Sequence, residues 1–178
     1  MAVDLTRLDE YAHPAHYEEL HQALRTIWSY PIVRAVYAHT MPQAGAYAAR
    51  LLGEDPKQRY NEWLAKLQNT FAALERAGVR SYGDFIERAK PEAFPNLVAQ
   101  TGDDPRELVG ALKYLNYWAL PTLVALREFA APDDADERVW IAALAKIGVR
   151  SAPDLFQQGR TPAMRAALAA AIGAPEAF

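Results

Sequence analysis

Cysteine is absent from this 178-residue chain. That excludes disulfides, thiolate metal sites and cysteine nucleophiles together, and it fits a reducing compartment. Strand formers are scarce as well. Valine, isoleucine and threonine are scattered, and no alternating apolar run exceeds a few residues. Long apolar runs are also missing. The longest, around Tyr117–Leu126, has Asn116 beside it and Pro121 within it, and is too short to span a bilayer. The opening MAVDLTRLDEYAHPAHYEEL is charged and has no apolar stretch, so a signal peptide is not expected and the protein is placed in the cytoplasm. Nor is there a local excess of one charge. Residues 1–70 hold seven Lys/Arg against eight Asp/Glu, residues 71–132 seven against eight, and residues 133–178 five against six. No basic tail or stripe marks a nucleic-acid footprint.

What remains is helical. Half of the residues are apolar, 51%, enough to bury a core in one domain or in two small ones that share it. Asp55-Pro56, Asp104-Pro105 and Thr161-Pro162 each place a capping oxygen before a proline at the first helical position. Gly53, Gly78, Gly102, Gly148 and Gly173 stand where helices should stop. The spacing predicts helices over 14–29, 32–39, 42–52, 56–77, 82–89, 91–101, 105–118, 121–129, 136–147, 152–157 and 162–172. In the helix over 56–77 the apolar face is Tyr60, Trp63, Leu64, Leu67, Phe71 and Leu74, three or four apart throughout. Residues 131–136 read as a linker.

One phrase is written twice. Residues 71–90 read FAALERAGVRSYGDFIERAK and residues 141–160 read IAALAKIGVRSAPDLFQQGR, in register without a gap. Ala72, Ala73, Leu74, Gly78, Val79, Arg80, Ser81 and Asp84 recur as Ala142, Ala143, Leu144, Gly148, Val149, Arg150, Ser151 and Asp154. A repeat reports architecture, two copies of one small unit packed together. The expected organisation is an N-terminal helical cap over 1–55, a first unit over 56–130 and a second, shortened unit over 136–178. The first copy continues past Asp104-Pro105 into another long helix, and the second has no such helix after Pro175, so a neighbouring helix or a partner chain is expected to cover it.

The string LxxxGVRSxxDFxxxxxxPxxxxxLVAQTGDDPRELV, from Leu74, resembles a helix-hairpin-helix unit. The residues Gly148-Val149-Arg150-Ser151, Arg160-Thr161-Pro162, Arg165, Ala167-Leu168-Ala169 and Ile172-Gly173 are similar to an uncharacterised bacterial domain-of-unknown-function family built from such units in tandem. In the first copy the match runs through Ala77-Gly78-Val79-Arg80-Ser81 and Thr101-Gly102. More distantly, the unit resembles the C-terminal domain of the bacterial RNA polymerase alpha subunit. The resemblance covers residues 70–178. It implies an all-α, SAM-like fold and an ancestral link to DNA. Helix-hairpin-helix modules hold phosphates on backbone N–H groups of a glycine-rich turn. Each turn here has one glycine where two are usual. Arg80, Ser81, Arg150 and Ser151 are the candidate phosphate contacts. The alternative is that the arginines cap helix ends or pair with Asp84 and Asp154.

Other residues carry weaker signals. His13, His16, His21 and His39 fall in the first forty residues, but no His-x-x-x-His pair occurs, and no metal site is expected. No nucleophile elbow, phosphate loop or dinucleotide fingerprint is present, so neither an enzyme nor a cofactor is expected. Tyr114, Tyr117 and Trp118 cluster on a helix apolar nearly all round, which marks either a core element or an interface. The reading is a non-catalytic helical module that recognises a protein partner or self-associates, with Tyr114, Tyr117 and Trp118 at the interface. Nucleic-acid binding through the two hairpins is the alternative. A small molecule in an apolar pocket lined by Trp28, Tyr37 and Trp63 is a weaker one.

Overall fold

Side-chain oxygens open five of the helices. Asp4, Ser81, Asp104, Ser151 and Thr161 each accept a hydrogen bond from an amide two or three residues on. These are donors that a first helical turn leaves without intrahelical partners. At the other end, Gly102 and Gly173 close their helices at φ 67° and 70°, a backbone region that a side chain disfavours.

A computed structural model describes residues 3–53, 58–121, 125–128 and 135–175. It is all-α: α1 (Leu5–Ala12), α2 (Tyr17–Ser29), α3 (Pro31–Val36), α4 (Met41–Gly53), α5 (Gln58–Arg76), α6 (Tyr82–Arg88), α7 (Phe94–Thr101), α8 (Pro105–Tyr114), α9 (Ala135–Lys146), α10 (Ala152–Gln158) and α11 (Pro162–Ile172). A π-helical turn, Leu115–Ala119, extends α8, and a 3-10 turn spans Leu126–Glu128. No β-strand occurs among the described residues, though two isolated backbone bridges do.

Several boundaries differ from the periodicity. The helix expected over 14–29 forms as α2, from Tyr17, and a further helix, α1, precedes it where none was expected. Asp9, in α1, accepts from the Tyr17 amide at 2.8 Å and so starts α2 three residues after Pro14. The helix expected over 105–118 changes to a wider winding after Tyr114. Leu120 is then extended, as a residue before proline prefers. Of the helix expected over 121–129, only the 3-10 turn forms among the described residues, because Ala125 pairs with Ser151 instead. The helix over 91–101 begins at Phe94. Asp55-Pro56 and residues 131–134 of the expected linker lie outside the described residues, and Ala135 and Asp136 already belong to α9.

One large core runs from α1 to the π turn. Leu8, Leu20, Leu24, Met41 and Leu52 from the first 55 residues are buried in it together with Phe71, Leu74, Phe85, Leu112 and Tyr114. The expected N-terminal cap therefore shares its core with the first copy of the repeat. α4 lies along α5, and α1 and α5 both pack on α8. The second copy has its own small cluster, Leu126, Leu144 and Val149, with Ile141, Leu168 and Ile172 against it.

Candidate interaction site

The two hairpin turns are built alike. Gly78 and Gly148 both take positive φ, 76° and 90°. Val79 and Val149 are buried behind them, each amide donating back to Leu74 or Leu144. Ser81 and Ser151 cap α6 and α10. The aspartate four residues after each arginine reaches back: the Arg80 amide donates to Asp84 Oδ2 at 3.0 Å, and the Arg150 amide to Asp154 Oδ2 at 3.1 Å. In the second turn the Ser151 amide joins the same oxygen at 3.0 Å. In both turns a carboxylate of the same chain thus occupies these amides. Burial works against the charged form of Asp154. Hydrogen bonds from the Ser151 hydroxyl, the Arg150 amide, the Tyr30 hydroxyl and the Ser151 amide outweigh it and hold the carboxyl below its usual pKa.

The arginine side chains do something other than pair with these aspartates. Asp84 is paired with Arg88, whose Nε stands 2.9 Å away and whose other nitrogens donate to the Ala77 and Gly78 carbonyls. Arg88, absent from the expected set, is thus the residue that locks the first turn. Its counterpart seventy positions on is Gln158, so the repeat itself hid the role. Arg80 and Arg150 are exposed. Arg150 Nε stands 3.5 Å from the Ala145 carbonyl.

The aromatic cluster divides. Tyr114 is fully buried, edge-on to Trp63 and Phe71, so it belongs to the core and not to a surface. The helix turns it inward because it continues the Leu108, Ala111, Leu112 face of α8. Tyr117 and Trp118, on the π turn, are 46% and 41% exposed, with Trp118 edge-on to Trp63. Trp28 covers Gly83, where a Cβ would overlap its indole. Trp63 faces Tyr114 and Trp118, and Tyr37 faces His39. The described cavities are lined by other residues than these.

The histidines are dispersed. His16 and Asp9 meet at an exposed site, 3.1 Å apart. His21 is buried, its Nε2 placed to donate to the Ile86 carbonyl at 2.9 Å, and burial pushes its pKa below the usual histidine value. Beside it, the Tyr17 hydroxyl donates to the Ala89 carbonyl, so α2 is stitched to the end of α6. No group of three metal-ligating side chains stands together among the described residues.

Val139, Ile147, Leu155 and Phe156 give the second copy most of the exposed large apolar side chains among the described residues. Leu155 and Phe156 are 37% and 53% exposed, while their counterparts Phe85 and Ile86 are fully buried. A groove of about 560 Å³ runs between α9, α10 and α11, with Leu144, Leu155, Phe156, Leu168 and Ile172 in its walls. A second, of about 550 Å³, lies on the neighbouring face of α9 and shares Leu126 and Ile141 with the first. The repeat could not reveal this difference, because aligned positions imply equal burial. Polar bonds anchor the copy to α3: the Tyr30 hydroxyl to Asp154, and the Ile32 amide to Gln157. No described helix is long and apolar enough to cross a membrane. No protein-family model matches the chain, and no curated protein or solved structure matches it either.

Proposed function

We propose that the chain is a non-catalytic helical interaction module of two helix-hairpin-helix-like units in tandem, whose second unit receives a protein partner. One observation carries this reading: the same twenty-residue phrase is sealed in one copy and open in the other. Leu155 and Phe156 stand at solvent where Phe85 and Ile86 are covered. Clustered exposed apolar side chains beside a groove are what protein recognition uses. Tyr117 and Trp118 contribute a further exposed aromatic pair.

The nucleic-acid alternative has less support. Its backbone donors are held by Asp84 and Asp154, and a carboxylate in that seat repels a phosphate.

The test is retention of a host protein by tagged, full-length chain. A near-stoichiometric partner should be retained by the native chain and lost by Phe156→Asp, whose melting temperature stays unchanged. Equal retention by both, or none by either from a chain that light scattering shows to be strictly monomeric, removes the reading.

A further inference from the structure

A backbone bridge fastens each hairpin to an earlier segment and sets a register between the copies. Thr40 pairs with Ser81, and Ala125 pairs with Ser151. Beyond these bridges the two copies diverge. After Thr40 comes α4, thirteen residues lying along α5 with Met41, Ala44, Ala48 and Leu52 buried. Among the described residues between Ala125 and α9, the single 3-10 turn Leu126–Glu128 stands in its place. Thr40 precedes Ser81 by 41 positions, and Ala125 precedes Ser151 by 26.

The consequence is visible on matching faces of α5 and α9. In the first copy, the opening turn of α4 lies against Gln68, Phe71, Ala72 and Glu75 and leaves a cleft of about 270 Å³. The counterparts of those four residues are Arg138, Ile141, Ala142 and Ala145. They line the second groove, about 550 Å³, together with Leu126 and Val149. Its charge has changed as well. Glu75 lines the first cleft, and its counterpart is an alanine. Arg127 and Arg150 line the second, with no carboxylate among its described walls.

Resting on the interaction reading, we infer that this groove seats one acidic amphipathic helix of a protein partner, in the place α4 takes in the first copy. Small and aliphatic residues of that helix lie on Ile141 and on Ala142 and Ala145, whose methyl groups permit close helix–helix approach. Its carboxylates face Arg127 and Arg150. A second copy of this chain does not suit the seat. Presenting the same face would bring two such arginine pairs together, and the chain's own α4 carries Arg50 and no carboxylate.

The experiment uses isotope-labelled, full-length chain and a 13-residue peptide patterned on α4. The peptide keeps Met41, Ala44, Ala48 and Leu52 and carries Gln43→Glu, Ala46→Glu and Arg50→Glu. Saturable binding is expected, with amide shifts confined to the Leu126 turn, Ala142, Ala145 and Val149. Arg127→Glu with Arg150→Glu in the chain should weaken it by about tenfold or more, and added salt should weaken it too. Ala142→Trp, which fills the groove from an exposed position, should abolish it. Thermal melts show that each variant is folded.

Failure of the acidic peptide to bind the folded native chain overturns the inference, as do shifts elsewhere. So does equal affinity for a lysine-bearing peptide or for a medium-chain fatty acid at the groove. Concentration-dependent dimers that Ala142→Trp dissolves would overturn it in favour of self-association. Phe156 lies outside this groove, so a partner still lost by Phe156→Asp would leave the interaction reading standing when the peptide fails.

Discussion

The two copies of the repeat use the same residues differently. In the first, Leu74 and Val79 sit inside a core assembled from seven other helices and the π turn. In the second, Leu144 and Val149 are buried, and nearly everything around them is partly open. No residue of α11 is buried, and α9 buries Leu144 alone. A shared hairpin therefore dictates a local turn and its two innermost side chains. How deep the rest lies depends on what the chain lays over it: α2, α4 and α8 in one case, a 3-10 turn and α3 in the other.

Three measurements sharpen or break this contrast. The largest effect should come from truncating counterparts. Phe85→Ala removes a fully buried ring and is expected to cost about 3–5 kcal/mol, whereas Leu155→Ala should cost less than about 1 kcal/mol in urea unfolding. Equal losses would mean that the second copy is closed in solution. Next comes hydrogen exchange. Amides of α10 and α11 should exchange through local opening at least about tenfold faster than those of α5 and α8, which open only globally. Matching protection would make the molecule one cooperative block.

The smallest effect is a response to pH from two histidines that pack against the first copy. Burial favours neutral His21, with Arg25 adding to this and the Ile86 carbonyl, Glu92 and Glu87 opposing it. A folded pKa below the unfolded value of about 6.5 means stability is complete above that pH and falls as the solution is acidified through it. His39, half-buried near Arg50, adds in the same direction. Denaturant midpoints should decline from pH 7 to pH 5 by less in His21→Gln than in the native chain. An unchanged slope would dismiss His21 as the source.

Much of the fold could be read from residue order. The caps at Ser81, Asp104, Ser151 and Thr161 and the stops at Gly102 and Gly173 are local chemistry, and the structure uses them as expected. α1 was missed because its few apolar positions are embedded among charges, and its role is set by a distant partner, α8. The candidate surface was less legible. Tyr114 pointed to an interface by its company and turned out to be core, since its burial depends on α5. Phe156 aligns with the buried Ile86, yet it is exposed. Both cases share a cause: burial is decided by long-range packing, which neither periodicity nor alignment of the copies contains.

The back-bonded aspartates carry a last implication. Each turn keeps a carboxylate of the following helix on its own backbone. That arrangement stiffens the bend by tying it to the helix it opens. Neutralising Asp84 and Asp154 together would leave those backbone donors to solvent, so the shape of each hairpin is set by a charge that lies beyond it.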